Sequence, residues 1–339
     1  MAHQHKASIL PEKYGKLEVG TRPTPTPQEK QALVKVTAAA INPLDWKIID
    51  YGIFIENFPA VLGFDGAGII HAIGSGVTEF KVGDRVLFQG TFAPVDQAVF
   101  QQYTIVDTDI IAKAPDNLND DQASTIPTGA ITAYFGLFQK TGISPPLSGP
   151  TTSDKPILIL GGSSSVGQFA IQFARIAGFS TIATTASPQH AEFLKSLGAT
   201  HIFNRDVDAK TIQSTFATPV SFVFDTISIE STQLLAFDVL TTPSPAPGAR
   251  LSLLLAPVDS LNNKNSGDKI IVDQVYGSSH AFKDVSAPFW QRIEEWIRNG
   301  ELVPNAVQLV DGGLAGIPEA LDLSRKGVSG VKIVVRPQE

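Results

Sequence analysis

At 339 residues the chain is long enough for about two domains with substantial cores, and 43% apolar against 17% charged residues is ordinary globular composition, which excludes general disorder. With 26 basic and 33 acidic residues the formal charge is -7, a balance that repels a phosphate backbone and argues against a nucleic-acid partner. Cysteine is absent, which excludes disulfides and thiolate zinc sites and fits a reducing compartment. The first residues show no basic segment followed by an apolar run, and no stretch of about 18 apolar residues occurs, so no export signal or membrane span is expected and the cytoplasm is the default location.

Up to about Thr128, short apolar stretches such as Ala32 to Ala40, Ala67 to Ile73 and Arg85 to Phe88 alternate with Gly, Pro, Asn and Asp. That spacing predicts a β-rich domain. From Gly129 to about Ser279, buried strands alternate with helical periods. The strands are Ile157 to Leu160, Thr181 to Thr185, Thr200 to Phe203, Ser221 to Phe224 and Leu251 to Leu255. Such alternation predicts a parallel, doubly wound sheet. Two Pro/Ser-rich stretches, Ser144 to Pro150 and Thr241 to Gly248, read as surface loops without identifiable chemistry. The tail carries a helix candidate, Pro318 to Lys326, and a strand, Val331 to Val335, that can rejoin the first domain.

Directly after the strand Ile157 to Leu160 comes Gly161-Gly162-Ser163-Ser164-Ser165-Val166-Gly167, then a helical period from Phe169 to Ala177 closed by Gly178. Strand, tight turn and helix in this order form a dinucleotide-binding arrangement: Gly162 is expected to take the turn's special dihedrals, a small Ser164 to let a pyrophosphate approach, and Gly167 to let helix and strand pack closely. The helix N-terminus then presents N–H groups to the anion. A glycine trio alone is weak, since an ordinary strand–helix turn reads the same way, and the flanking elements supply the specificity. An NAD-specific site places an acid about 20 residues on. Here that segment is Thr181 to His190, with no carboxylate before Glu192. Ser187 as donor and Arg205 as counter-charge therefore point to the 2′-phosphate of NADPH, against the plainer readings of a helix cap at Ser187 and a solvated cation at Arg205.

The stretches Ala40 to Lys47, Leu62 to Gly68, Val82 to Val86, Ile126 to Tyr134, Ser196 to Ala199 and Ser329 to Val335, with the glycine turn, resemble the successive signatures of the medium-chain dehydrogenase/reductase superfamily over nearly the whole chain. The resemblance is strongest to its zinc-independent quinone oxidoreductase and enoyl reductase branches, particularly fungal stand-alone enoyl reductases sharing the Asp50 to Phe54 stretch. It implies an α/β protein with a GroES-like β domain from residues 1–128 and 280–339 and a Rossmann domain from 129–279. It also implies a cleft where cofactor and substrate meet. Where zinc alcohol dehydrogenases carry metal-binding Cys and His, this sequence has Asn42 and Phe64, so no metal is expected.

The resemblance also implies site residues. Tyr51 is expected to bond the substrate carbonyl or deliver a proton, against a packing role; Asn42 and Asp45 to contact the nicotinamide ribose or substrate, against local capping by Asn42-Pro43. Pro43, Thr132, Thr226, Ile227, Leu254, Leu255 and Lys332 are expected along the cofactor, with core, helix-capping or solvated roles as rivals. Phe54, Tyr276 and Gly277 are expected to line the substrate. His3 and His5 are read as part of a frayed terminus.

Without a Lewis acid, direct carbonyl reduction is harder and conjugate reduction needs less assistance. The favoured reaction is therefore NADPH-dependent reduction of the activated double bond of an α,β-unsaturated aldehyde or ketone, by a monomer or homodimer. The alternatives are a quinone or carbonyl reductase, a trans-acting polyketide enoyl reductase, and an NADPH-binding protein without turnover.

Overall fold

The computed structural model describes residues 3–339. The chain forms two compact units: one runs to Thr128 and resumes at Ser278, and the other is Gly129–Gly277.

The first unit begins with eight strands, β1 (Gln4–Leu10), β2 (Glu18–Pro23), β3 (Gln31–Ala40), β4 (Ala60–Val61), β5 (Asp65–Ile73), β6 (Arg85–Gln89), β7 (Tyr103–Asp107) and β8 (Ile111–Lys113). Helices α1 (Pro43–Tyr51), α2 (Asp120–Ser124) and the start of α3 (Pro127–Phe138) belong to the same stretch. The central strand β3 is a long run of Ala, Leu and Val, nearly all buried, as a strand covered on both faces must be. It pairs antiparallel with β5 and β7.

The second unit contributes strands β9 (Pro156–Leu160), β10 (Thr181–Thr185), β11 (His201–Phe203), β12 (Phe222–Asp225), β13 (Arg250–Leu253) and β14 (Ile271–Gln274). Its sheet is entirely parallel, in the order β11-β10-β9-β12-β13-β14. Strand order therefore reverses beside β9, and the crevice at that switch opens outside the carboxyl ends of the strands. Five helices follow in chain order: α4 (Ser165–Ala177), α5 (Ala191–Leu197), α6 (Ala209–Gln213), α7 (Glu230–Thr241) and α8 (Asp259–Lys264). Ile157, Leu158, Ile159 and Leu160 have no exposed surface, so each contributes about 1.5–3 kcal/mol of burial.

Back in the first unit, α9 (Lys283–Arg298) buries Phe289, Trp290, Ile293 and Trp296 on one face. Then come β15 (Ala306–Leu309), α10 (Ile317–Lys326) and β16 (Val331–Val335). Strand β16 pairs antiparallel with β3 and parallel with β15. The register sets the position of the site: Ala40 faces Val334 on one side and Asp65 on the other.

The α/β architecture is the one expected, with two local corrections. The strand expected to reach Leu255 stops at Leu253. The N-terminal histidines are not frayed: His3 and His5 both bond the Thr24 hydroxyl, and His5 is buried in β1.

Candidate active site and cofactor site

In the second unit, the left-handed residue of the glycine-rich turn is Gly161, with φ of 84°, and not Gly162 as expected. Gly162 is required for space instead, since a Cβ there would lie 2.2 Å from Thr184 Oγ1. At Gly167 a Cβ would lie 2.2 Å from the Gly161 carbonyl oxygen and 2.9 Å from Gly162 Cα, so helix and turn approach at backbone contact. Ser164 is the N-cap of α4: its hydroxyl accepts from the Gly167 amide at 2.9 Å. The same oxygen lies 2.9 Å from Thr226 Oγ1, whose hydroxyl donates to the Leu160 carbonyl at 2.7 Å. Read as a chain, Gly167 N–H, Ser164, Thr226 and Leu160 C=O fix the turn across β9 and β12. The Ser164 hydroxyl is thereby committed to protein, and what remains for a diphosphate is its small size. Ser163 is buried, while Ser165 and Val166 open the first turn of α4 half-buried. A helix start held this closely against a strand fits a dinucleotide diphosphate.

Thr185 and Phe203 are register partners on β10 and β11. Ser187 and Arg205 each lie two residues beyond them, at the same carboxyl edge. Ser187 begins a short 3₁₀ turn, Pro188–His190, without a side-chain capping bond. Arg205 is exposed, and among the described residues it makes no ion pair. Both side chains stand at the edge where an adenosine ribose is held in this fold.

Asp225 ends β12 with no exposed surface, and its Oδ1 accepts from the amides of Ile227 and Ser228. Burial pushes its carboxyl above the ordinary range, against those amide bonds. Ile227 packs over Gly161 and is 38% exposed; Leu255 is 41% exposed. Leu254 lies in the loop after β13, its amide donating to Ser228 Oγ. Exposure of Leu255 excludes the plain core reading for that residue. Thr132 sits mid-way along α3, which corrects the capping alternative, and Gly277 backs against it: a Cβ there would lie 2.0 Å from Thr132 Oγ1. Tyr276, beside Gly277, is half exposed.

In the first unit, Asn42 caps α1 with Pro43 at its first turn. Asn42 Nδ2 donates to Asp65 Oδ2 at 2.8 Å, and Lys332 Nζ donates to Asn42 Oδ1 at 2.7 Å while lying 2.9 Å from Asp65 Oδ2. Asp65 Oδ1 accepts from the Thr128 amide at 2.6 Å. Asp45 accepts from the Asn42 amide at 2.7 Å. Burial drives the Asp45 carboxyl up to about 7, with the neighbouring Asp65 adding to the shift and the Asn42 amide and Lys332 opposing it. These groups are almost wholly withdrawn from solvent: Asp45 and Asp65 show 0% exposure, Lys332 4% and Asn42 5%.

Two expectations are corrected here. Asp45 has no surface with which to touch substrate or ribose, so any influence it has passes through the buried groups around it, Asn42, Asp65 and Lys332 among them. Lys332 is neither solvated nor offered to a phosphate, because its ammonium is committed to Asp65 and Asn42. The same network answers whether zinc fits. Phe64 supplies no donor atom, both ends of the Asn42 amide are engaged, and an ammonium already occupies the cluster. Among the described residues no group of three or more His, Cys, Asp or Glu is placed to hold a metal. The donor set does not suit a catalytic zinc ion.

Tyr51 ends α1 with 59% exposure and meets Trp46 edge-on at 6.1 Å, so it is not a buried packing residue. Phe54 has a left-handed backbone, φ of 69°, and is 54% exposed. Phe92 stacks on it at 6.3 Å and meets Phe64 edge-on at 6.0 Å. Sequence reasoning passed over three members of this unit's site. Asp65 stands out in the sequence only as part of the Leu62 to Gly68 stretch, although a carboxylate in an apolar, glycine-rich strand must find a buried partner. Phe92 gave no signal. Lys47, whose ammonium lies over the Trp46 ring and whose pKa is lowered by burial, was legible only as part of the Asp-Trp-Lys stretch.

The chain matches the alcohol dehydrogenase GroES-like domain over residues 28–116 and the zinc-binding dehydrogenase domain over residues 165–243. It is 34% identical to the trans-enoyl reductase tndF of Aspergillus flavipes, covering 99% of both chains. It is 33% identical to the trans-enoyl reductase himH of Aspergillus japonicus, over 94% of this chain and 93% of that one. A crystal structure of an alcohol dehydrogenase superfamily protein from Novosphingobium aromaticivorans superposes with a TM-score of 0.82 at 25% identity, covering 98% and 99% of the two chains. The quinone oxidoreductase of Coxiella burnetii shares the fold, with a TM-score of 0.74 at 23% identity over 98% and 99%. No helix among the described residues is long and apolar enough to cross a membrane. The chain is an oxidoreductase of the medium-chain dehydrogenase/reductase superfamily and belongs to its enoyl reductase-like members.

Proposed function

We propose that this protein uses NADPH to reduce the activated carbon–carbon double bond of α,β-unsaturated aldehydes and ketones, with no metal ion in the reaction. The observation that carries this reading is the Lys332, Asp65 and Asn42 cluster, whose engaged donors leave no ligand set for a Lewis acid. A carbonyl without such a cation is hard to polarise, whereas a conjugated double bond needs only hydrogen bonds to the enolate oxygen. Two relatives, both trans-enoyl reductases, support the same choice.

Bound nicotinamide supplies a hydride for the substrate's β-carbon. Gly162, Ser163, Ser164, Ser165, Val166 and Gly167 hold the diphosphate, Ser187 and Arg205 the 2′-phosphate, and Thr226, Ile227, Leu254, Leu255, Thr132 and Pro43 the remainder of the cofactor. The exposed Tyr51 hydroxyl hydrogen-bonds the carbonyl oxygen or delivers the proton to the α-carbon, and Asn42, held by Lys332 and Asp65, orients the neighbouring backbone. Phe54, Tyr276 and Gly277 line the substrate. The enzyme works in the cytoplasm, as a monomer or homodimer. A second reading is a trans-acting enoyl reductase that takes its enoyl group from a polyketide synthase; two relatives are trans-enoyl reductases.

Incubation with NADPH and 2-hexenal followed by product analysis tests the proposal. Hexanal is expected; accumulation of the allylic alcohol alone contradicts the double-bond assignment.

A further inference from the structure

The segment that leads into the first Pro/Ser-rich stretch and the end of the second, neither with a part in the proposed reaction, come together at one place in the second unit. Thr141 and Ile143, leading into the first stretch, and Pro247 and Gly248, closing the second, frame a cavity of about 170 Å³. The residues that open three parallel strands, Pro156 of β9, Phe222 of β12 and Arg250 of β13, line the same cavity, together with Phe179 just before β10. It therefore lies at the amino edge of the sheet, opposite the carboxyl edge that carries the glycine-rich turn. This volume is room for roughly five or six water molecules or a ligand of similar heavy-atom count.

Its charge is unbalanced. Lys155 and Arg250 are the ionisable groups in the lining. Arg250 is mostly buried and pairs through Nη1 with Asp273, which leaves its other guanidinium N–H groups for a further acceptor. Lys155 is exposed, and no carboxylate pairs with it among the described residues. Two cations against one carboxylate leave a single positive charge. Ser221 adds a hydroxyl that makes no side-chain bond among the described residues, whereas that of Thr141 is spent on the Leu137 carbonyl. Phe179 and Phe222 give the wall an apolar side.

We propose that this amino-edge cavity binds a small monovalent oxyanion, a short-chain carboxylate or inorganic phosphate, between Lys155, Ser221 and Arg250. The site is independent of the nicotinamide reaction and stands whether or not the proposed activity does.

The test is the melting temperature of the full chain at fixed ionic strength, with chloride exchanged for acetate, butyrate or phosphate, in the wild type and in Lys155→Gln. A ligand at about ten times its Kd raises Tm by roughly 2–4 °C in a protein of this size. Such a rise is expected in the wild type with at least one of the three anions, identifying carboxylate or phosphate as the occupant, and is expected to vanish in Lys155→Gln. Exchange of Lys210→Gln, an exposed residue outside the lining, leaves it intact. An equal shift in wild type and Lys155→Gln assigns the binding to another site and overturns the proposal, as does no shift with any anion. If Lys155→Gln does not fold, Ser221→Ala is expected to lower the shift and Lys155→Arg to retain it.

Discussion

The ammonium of Lys332 lies 2.9 Å from the carboxylate of Asp65, and neither group has more than 4% of its surface exposed. Strand register produces this pair: Ala40 on β3 is flanked by Asp65 on β5 and Val334 on β16, so two ends of the sequence deliver opposite charges to one buried point. Neither charge is tolerable there alone.

Removal of one partner should therefore cost more than removal of both. Lys332→Met is expected to destabilise the protein by about 3–5 kcal/mol in urea denaturation, because it leaves Asp65 buried and unpaired. Lys332→Met combined with Asp65→Asn should recover much of that loss. A single mutant within about 0.5 kcal/mol of wild type would show that the pair carries no such weight.

The glycine-rich turn makes a steric prediction. Gly167→Ala places a methyl group 2.2 Å from the Gly161 carbonyl oxygen, and a clash with backbone cannot be relieved by a side-chain rotation. NADPH affinity, measured by fluorescence titration, should fall more than tenfold, a loss above about 1.4 kcal/mol. Ser164→Ala removes the cap of α4 and is expected to cost about 1 kcal/mol of stability.

Coenzyme choice rests on Ser187 and Arg205. Arg205→Ala is expected to raise KM for NADPH by roughly tenfold or more, the worth of a charge-assisted contact to the 2′-phosphate. KM for NADH should stay within about twofold. An equal effect on both coenzymes would place Arg205 away from the phosphate.

Asp45 predicts an unusual pH dependence. Its folded pKa, near 7, exceeds the ordinary 3.8, so between these values the folded protein keeps a proton that the unfolded chain releases. Stability contributed by this group is fully present below pH 3.8 and is lost as pH rises toward 7, by at most about 1.4 kcal/mol per pH unit. Urea denaturation of Asp45→Asn at pH 5 and pH 8 should show a smaller fall in stability than wild type over that interval. Identical slopes would remove Asp45 as the cause.

Much of this molecule was legible in its residues, for reasons that differ by element. The parallel sheet announced itself because a strand buried on both faces, Ile157 to Leu160, has no alternative to being apolar throughout. The turn after it was found from Gly161, Gly162 and Gly167, yet the positive φ falls on Gly161, and glycine spacing alone cannot tell a dihedral requirement from a packing one. The resemblance places Lys332 along the cofactor, with a solvated role as rival, and neither holds: its partner Asp65 lies far away in sequence, and only strand pairing brings them together. Helix α9 went unread, with Pro288 inside its pattern. Phe92 carried no local signature, since its role as a stacking partner exists only through Phe54 and Phe64.

The central claim, hydride delivery to carbon without a metal, is tested most directly by following deuterium. After exhaustive treatment with a chelator, the protein is given NADPH deuterated at the transferred C4 position together with 2-hexenal, and the product is examined by mass spectrometry and NMR. Undiminished turnover to hexanal labelled at C3 is expected. Label at C1 of 2-hexen-1-ol, or activity that disappears with the chelator and returns with zinc, would contradict it.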